Sequence, residues 1–266
     1  MIGLSPSYLV LFICWAFGVL LDAANDKVRL DPQGPLGITL DTATRDNWPR
    51  VEAGALPTRR MLFWSSWLGF NKTVDGLSDA QLWQIVHDAH AEMRTDAAQY
   101  KVPVRNIPTA MVVLAVGNEL VFASSAKNAN SFAYKYEETK VKNTLDLCQI
   151  AFFEQSGKTL EHKNGANCGE VLAAQLYYTI HPGEALSGKG ARIAAVLWKK
   201  AENRPVQTDP FWGCNKFVEV EGLRPLNIND TAEAYDFETM GLGKPKINQM
   251  QLCGAPAKKP GSSSNA

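Results

Sequence analysis

The chain has 266 residues, 45% of them hydrophobic and 20% charged, a globular composition with ample material for a core. Lysine plus arginine equals aspartate plus glutamate at 27 each, so no global basic field exists to hold a nucleic-acid backbone. Only a local groove would serve that purpose.

Residues Tyr8–Leu21 form an apolar run of 14, shorter than the roughly 20 residues of a membrane span and normal for a signal-peptide core. Ala23 and Ala24 supply small residues for cleavage, although no lysine or arginine precedes the run and Asp22 lies near the cut. Residues 1–24 are therefore expected to be a signal peptide, with no stable membrane span and an extracellular product. An uncleaved anchor and a buried helix are the alternatives. The sequons Asn71-Lys72-Thr73 and Asn229-Asp230-Thr231 agree with secretion and glycosylation.

Residues 25–57 carry prolines, glycines and few apolar clusters, which predicts an arm or irregular segment with Leu30, Leu36, Ile38 and Leu40 clipped onto the body. Arg59–Phe70 is aromatic and apolar and reads as a segment packed on the core. A helix then starts at Ser78, with Gln81 placed to complete a capping box. Leu82, Ile85, Val86, Ala89, Met93 and Ala97 follow at helical spacing. His87, His90 and Glu92 lie in the same helix. His90-Ala91-Glu92 resembles a metal-site triplet, but His87 and His90 read as two surface histidines on an amphipathic helix, since no cysteine pair or acid at metal-binding spacing follows within the next segment.

Thr109–Val116 and Glu119–Ser124 flank Gly117-Asn118 and predict a β-hairpin. Ser125–Lys142 turns polar and tyrosine-rich, as a surface excursion would. Thr144–Phe153 is a short helix candidate that buries Cys148, and Glu161–Asn167 is a polar turn. A second clear helix is expected over Cys168–Ile180, stopped by Pro182-Gly183. Arg192–Trp198 reads as a strand buried on both faces, as parallel central strands are. A weak helix is expected around Asp230–Met240, and residues 254–266 have the composition of a disordered tail. The whole predicts one α/β domain over residues 58–253, with a central mixed sheet, a β-hairpin and flanking helices.

Loss of the signal removes Cys14 and leaves Cys148, Cys168, Cys214 and Cys253. In a secreted chain four cysteines suggest two disulfides, with three pairings open, or a set that includes metal ligands. Cys168 and Glu170 lie two residues apart at a helix start, where unpaired N–H groups and the positive dipole end favour both anions.

The order of these elements, with Cys168-Gly169-Glu170 opening one helix and Pro210-Phe211-Trp212-Gly213-Cys214 leading into another, resembles the cytidine-deaminase-like superfamily, in its secreted or toxin-type branch. The resemblance covers roughly residues 78–223. It implies a three-layer-like deaminase fold in which Cys168 and Cys214 are zinc ligands and Glu170 is the proton shuttle. The substrate it implies is a nucleobase, carried in a small molecule or a nucleic acid. The chain departs from the pattern at Phe211, which stands where the motif has a third ligand and cannot bind a metal. Asp209 and His162 are the nearby substitutes.

The resemblance also implies that Cys168 and Cys214 are neighbours, able to form a disulfide instead, with Cys148 then left for Cys253. Three readings follow. The first is a secreted deaminase-fold protein with a degenerate zinc site, acting as a binding or effector module on an unidentified protein partner. The second is an active zinc-dependent nucleobase deaminase. The third is a disulfide-stapled α/β domain. Phe211 and Trp212 would border the pocket and could stack on a base.

Overall fold

The computed structural model describes residues 29–50, 59–128, 131–198, 202–204 and 212–253. The expected signal peptide and tail, and Asp209 and Phe211, lie outside the described residues. The chain divides into Met1–Asp31 and Pro32–Ala266, and all the described secondary structure belongs to the second unit.

The hairpin forms as its turn residues dictate. Strands β3 (Ala110–Val116) and β4 (Glu119–Ser124) pair antiparallel around Gly117, whose φ of +56° suits a glycine in the tight turn. Every residue of both strands is buried, so neither face meets water. The other strands are β1 (Thr39–Leu40), β2 (Trp64–Gly69), β5 (Arg192–Leu197), β6 (Glu202–Arg204), β7 (Arg224–Pro225) and β8 (Lys246–Asn248). The sheet runs β1-β2-β4-β3-β5-β6, with β7 also on β5 and β8 also on β2.

The sheet is mixed, as expected, but the direction of β5 is not the one its apolar run suggests. It lies antiparallel to β3, with Val112 opposite Ala195, and its parallel partner is the two-residue β7. Burial on both faces therefore comes from helices covering both faces, which masks strand direction in the sequence.

Two helices supply that cover. α2 (Asp79–Gln99) begins at the capping box, where Ser78 Oγ accepts from Gln81 N and Gln81 Oε1 accepts from Ser78 N. Its predicted apolar face is fully buried and lies against β1, β3 and β5. α5 (Gly169–Ile180) lies against β3 and β4. Side chains alternate along a strand. Val112, Leu114 and Val116 accordingly share a core with Val171, Leu172 and Leu176 of α5. Met111, Val113 and Ala115 are buried on the other side. This is the α/β arrangement of a central mixed sheet with flanking helices.

The remaining helices are α1 (Thr42–Asn47), α3 (Phe132–Lys135), α4 (Lys142–Ser156) and α6 (Cys214–Val220). α1 and β1 belong to the predicted arm, where Leu36, Ile38 and Leu40 are buried. Glu92 of α2 accepts the backbone N–H groups of Leu36 at 2.9 Å and Ile38 at 3.3 Å. Asp96 takes Leu40 N at 3.0 Å and Trp64 Nε1 at 2.7 Å. The arm is held by carboxylates of α2.

Three further expectations are corrected. His90 is buried, because it falls on the helix stripe of Val86, Met93 and Ala97. The stretch after Ser125 is not wholly a surface excursion: Phe132 and Tyr136 are buried, stacked on each other and set edge-on to Trp48. Asp230–Met240 forms turns rather than a helix. There Asp236 Oδ1 accepts from the backbone N–H groups of Glu238 and Thr239, a local bond that competes with helix formation.

Candidate metal centre

Three side chains from three parts of the chain converge beside the first turn of α5. Cys168 is the N-cap of that helix, Cys214 is the first residue of α6, and His162 lies in the loop after α4. One ligand atom from each falls within 4.8 Å of the others, and all three residues are buried. His162 Nε2 stands 3.6 Å from Cys214 Sγ.

Gly169 makes the approach of α5 to the sheet possible. A Cβ there would stand 2.6 Å from Val112 Cγ2 and 2.9 Å from the Ala123 carbonyl oxygen. The helix N-terminus is thus pressed onto the β3–β4 hairpin, and Cys168 and Glu170 are fixed on either side of the contact. Glu170, in the first turn, is buried at 1% exposure.

The loop that carries His162 is anchored at several points. His162 N donates to Tyr134 Oη at 3.1 Å, and Trp212 Nε1 donates to Leu160 O at 2.5 Å. The Trp212 ring meets the imidazole edge-on, with centroids 5.3 Å apart. Asn167, at the end of the loop, accepts Phe132 N at its side chain and Ala126 N at its carbonyl. Asn164 touches two members of the cluster. Its backbone N–H donates to His162 Nδ1 at 3.2 Å, and its side-chain amide donates to Cys168 Sγ at 3.4 Å.

Burial lowers the His162 pKa to about 4, so the imidazole is neutral near pH 7, the form in which it can give a lone pair to a cation. In this resting arrangement Nδ1 accepts a proton donor, which leaves the ring proton on Nε2, directed at Cys214. Binding through Nε2 would move the ring proton to Nδ1, which would then no longer accept from Asn164 N.

The donor set fits a metal ion. Two sulfurs and one imidazole nitrogen suit a borderline-soft divalent ion. Tetrahedral zinc with Zn–S near 2.3 Å and Zn–N near 2.0 Å places its ligand atoms about 3.5–3.8 Å apart. The His162–Cys214 separation of 3.6 Å matches that spacing, whereas the cysteine pair, 3.0 Å apart, is closer than two sulfurs on one zinc and would have to part on binding. Comparison with known proteins finds no matching family model, curated protein or solved structure.

The disulfide expectation is corrected. Cys148, Cys168, Cys214 and Cys253 form no disulfide, so neither the Cys168–Cys214 nor the Cys148–Cys253 bond is present. Burial raises the Cys148 thiol to about 12 and the Cys253 thiol to about 11, which makes both poor nucleophiles.

The sequence-predicted ligands Cys168 and Cys214 are brought together, and His162 joins them. Of the two substitutes considered for Phe211, His162 stands beside both cysteines, and Asp209 lies outside the described residues. Its sequence signal is faint: one of only 4 histidines in the chain, six residues before Cys168 in a polar turn.

Proposed function

We propose that this chain is a zinc-dependent hydrolase of the deaminase type, acting on the exocyclic amine of a nucleobase. The observation that carries the proposal is the His162–Cys168–Cys214 cluster, with Glu170 on the first turn of the same helix. Two ligands would leave the site degenerate. A third restores the number of protein ligands that catalytic zinc sites use, where closed structural sites use four.

Zinc bound there supplies an acidified water at its open position. Cys168, Cys214 and His162 hold the ion, and the Trp212 and Tyr134 contacts keep the imidazole in place. Glu170 Oε would carry one proton of that water to the ring nitrogen and then the second to the exocyclic amine, which leaves as ammonia. Burial of all four residues excludes bulk water from the proton path. The order of helix, hairpin, Cys-x-Glu helix, strand and Cys-led helix supports membership of the deaminase-like superfamily. Export from the cell belongs to the same proposal, supported by the Tyr8–Leu21 run and by the exposure of Asn71 and Asn229.

The test combines metal analysis with ammonia release from cytosine- and adenine-containing nucleosides and single strands. Wild type should hold one zinc per chain and release ammonia from at least one of these. Glu170→Gln should keep the zinc and lose the activity. A purified, folded wild type without zinc, or a Glu170→Gln variant as active as wild type, would overturn the proposal.

A further inference from the structure

The loop residue Asn164 links two members of the cluster, one through its side chain and one through its backbone. Its amide Nδ2 reaches Cys168 Sγ at 3.4 Å while its backbone N–H reaches His162 Nδ1 at 3.2 Å. The residue is itself held by the turn around it, where Gly165 N donates to His162 O at 2.8 Å and Asn167 N donates to Asn164 O at 3.2 Å. Gly165, at φ +55°, and Ala166, at φ +56°, are both left-handed, a backbone that L side chains seldom adopt. Ala166 is fully buried in that conformation, so surrounding packing fixes the turn.

We propose that Asn164 is a positioning residue of the metal centre, whose side-chain amide sets the donor strength of the Cys168 sulfur. The inference rests on the metal-site reading above and deepens it. An N–H donor aimed at a thiolate draws charge from the sulfur and lowers the electron density it gives to an ion. The ion then stays more electron-poor and a better Lewis acid toward its fourth ligand. The same bond fixes the Cys168 side chain on the side of the helix start that faces His162 and Cys214.

Cobalt(II) titration reads this directly, because the sulfur-to-cobalt charge-transfer band reports electron density on the thiolates. Wild type should bind one Co2+ per chain and show that band. Asn164→Ala should still bind the ion, with the band moved to lower energy as the sulfur becomes the stronger donor. Affinity should nonetheless fall by about 10- to 100-fold, because the Cys168 side chain is no longer held toward His162 and Cys214 and this loss outweighs the stronger donation. Asn164→Asp, of the same size but with an acceptor in place of the amide donor, should lose more affinity than Asn164→Ala. Thermal melting of the metal-free proteins checks that each is folded.

Unchanged band energy and affinity in both variants, with wild type binding normally, would overturn the role of Asn164 alone. Failure of wild type to bind Co2+ or Zn2+ would instead overturn the metal site. If Asn164→Ala does not fold, the folded Asn164→Asp variant carries the test, and a band identical to wild type there counts against the proposal.

Discussion

His162 and Cys214 are 52 positions apart in the chain, yet Nε2 and Sγ meet at 3.6 Å in the interior. The meeting depends on two independent anchors: the Trp212–Leu160 hydrogen bond beside Cys214 and the Tyr134 hydroxyl behind His162. Loss of an outer partner of a ligand typically costs 10- to 100-fold in metal affinity, so loss of the ligand itself should cost more. We expect His162→Ala to weaken zinc binding by at least about 100-fold, read by competition with a chromophoric chelator. Affinity within about threefold of wild type would show that the imidazole is not a ligand.

Gly169 tests how the site depends on the sheet beneath it. In an ordinary helix interior, glycine to alanine gains about 1 kcal/mol. Here the added Cβ would lie 2.9 Å from a backbone oxygen of Ala123, which cannot swing away as a flexible side chain could. Gly169→Ala should therefore destabilise by about 1–3 kcal/mol. It should also weaken metal binding, because the helix start that carries Cys168 must lift from β3 and β4. Urea unfolding gives the first quantity and zinc titration the second. A more stable variant would refute the tight approach.

The parts of the fold written in local chemistry were legible. The capping box at Ser78 and Gln81, the turn at Gly117-Asn118 and the helix after Cys168-Gly169-Glu170 each need only neighbouring residues to define them. The direction of β5 was not legible, since an apolar run carries no sign of which strand lies beside it. His90 lies on the same stripe as Val86, Met93 and Ala97, so its burial was implicit in spacing but masked by residue type. The candidate site was half legible. Cys168-Gly169-Glu170 and Cys214 stand out as two short local patterns, each at a helix start, whereas His162 comes from a loop whose path is set by Tyr134, Trp212 and Asn167 through tertiary contacts.

Tyr134 anchors that loop through a single hydrogen bond. Its hydroxyl accepts from His162 N at 3.1 Å, and burial pushes the phenol pKa well above its ordinary value, so the group stays neutral. Tyr134→Phe keeps the ring and removes the acceptor, leaving a backbone N–H in the interior without its partner. An unsatisfied buried donor costs about 1–3 kcal/mol. We expect that loss in unfolding free energy, with zinc affinity reduced by about tenfold or more because the freed loop carries a ligand. Stability equal to wild type would mean that the bond contributes nothing.

His90 makes a prediction about pH. It is buried on α2, its Nε2 has no hydrogen-bond partner among the described residues, and its pKa is lowered to about 4. Desolvation is the largest cause, followed by the charges of Arg94 and His87. The unfolded chain takes up the proton near the ordinary value of 6.5, whereas the folded protein resists until about pH 4. Stability linked to His90 is therefore fully present above pH 6.5, is lost as pH falls from 6.5 to about 4, and is constant below that. The shift corresponds to at most roughly 3 kcal/mol. Replacing the imidazole by an apolar group of similar size, His90→Leu, removes the titration. Urea unfolding of wild type and variant at pH 7.5, 6 and 5 (chosen as about one to two pH steps apart) should show wild type losing ground to the variant at each step down. His162 titrates in the same direction but is present in both proteins, so its contribution cancels in the difference. Parallel pH profiles would show that His90 is not held neutral by burial.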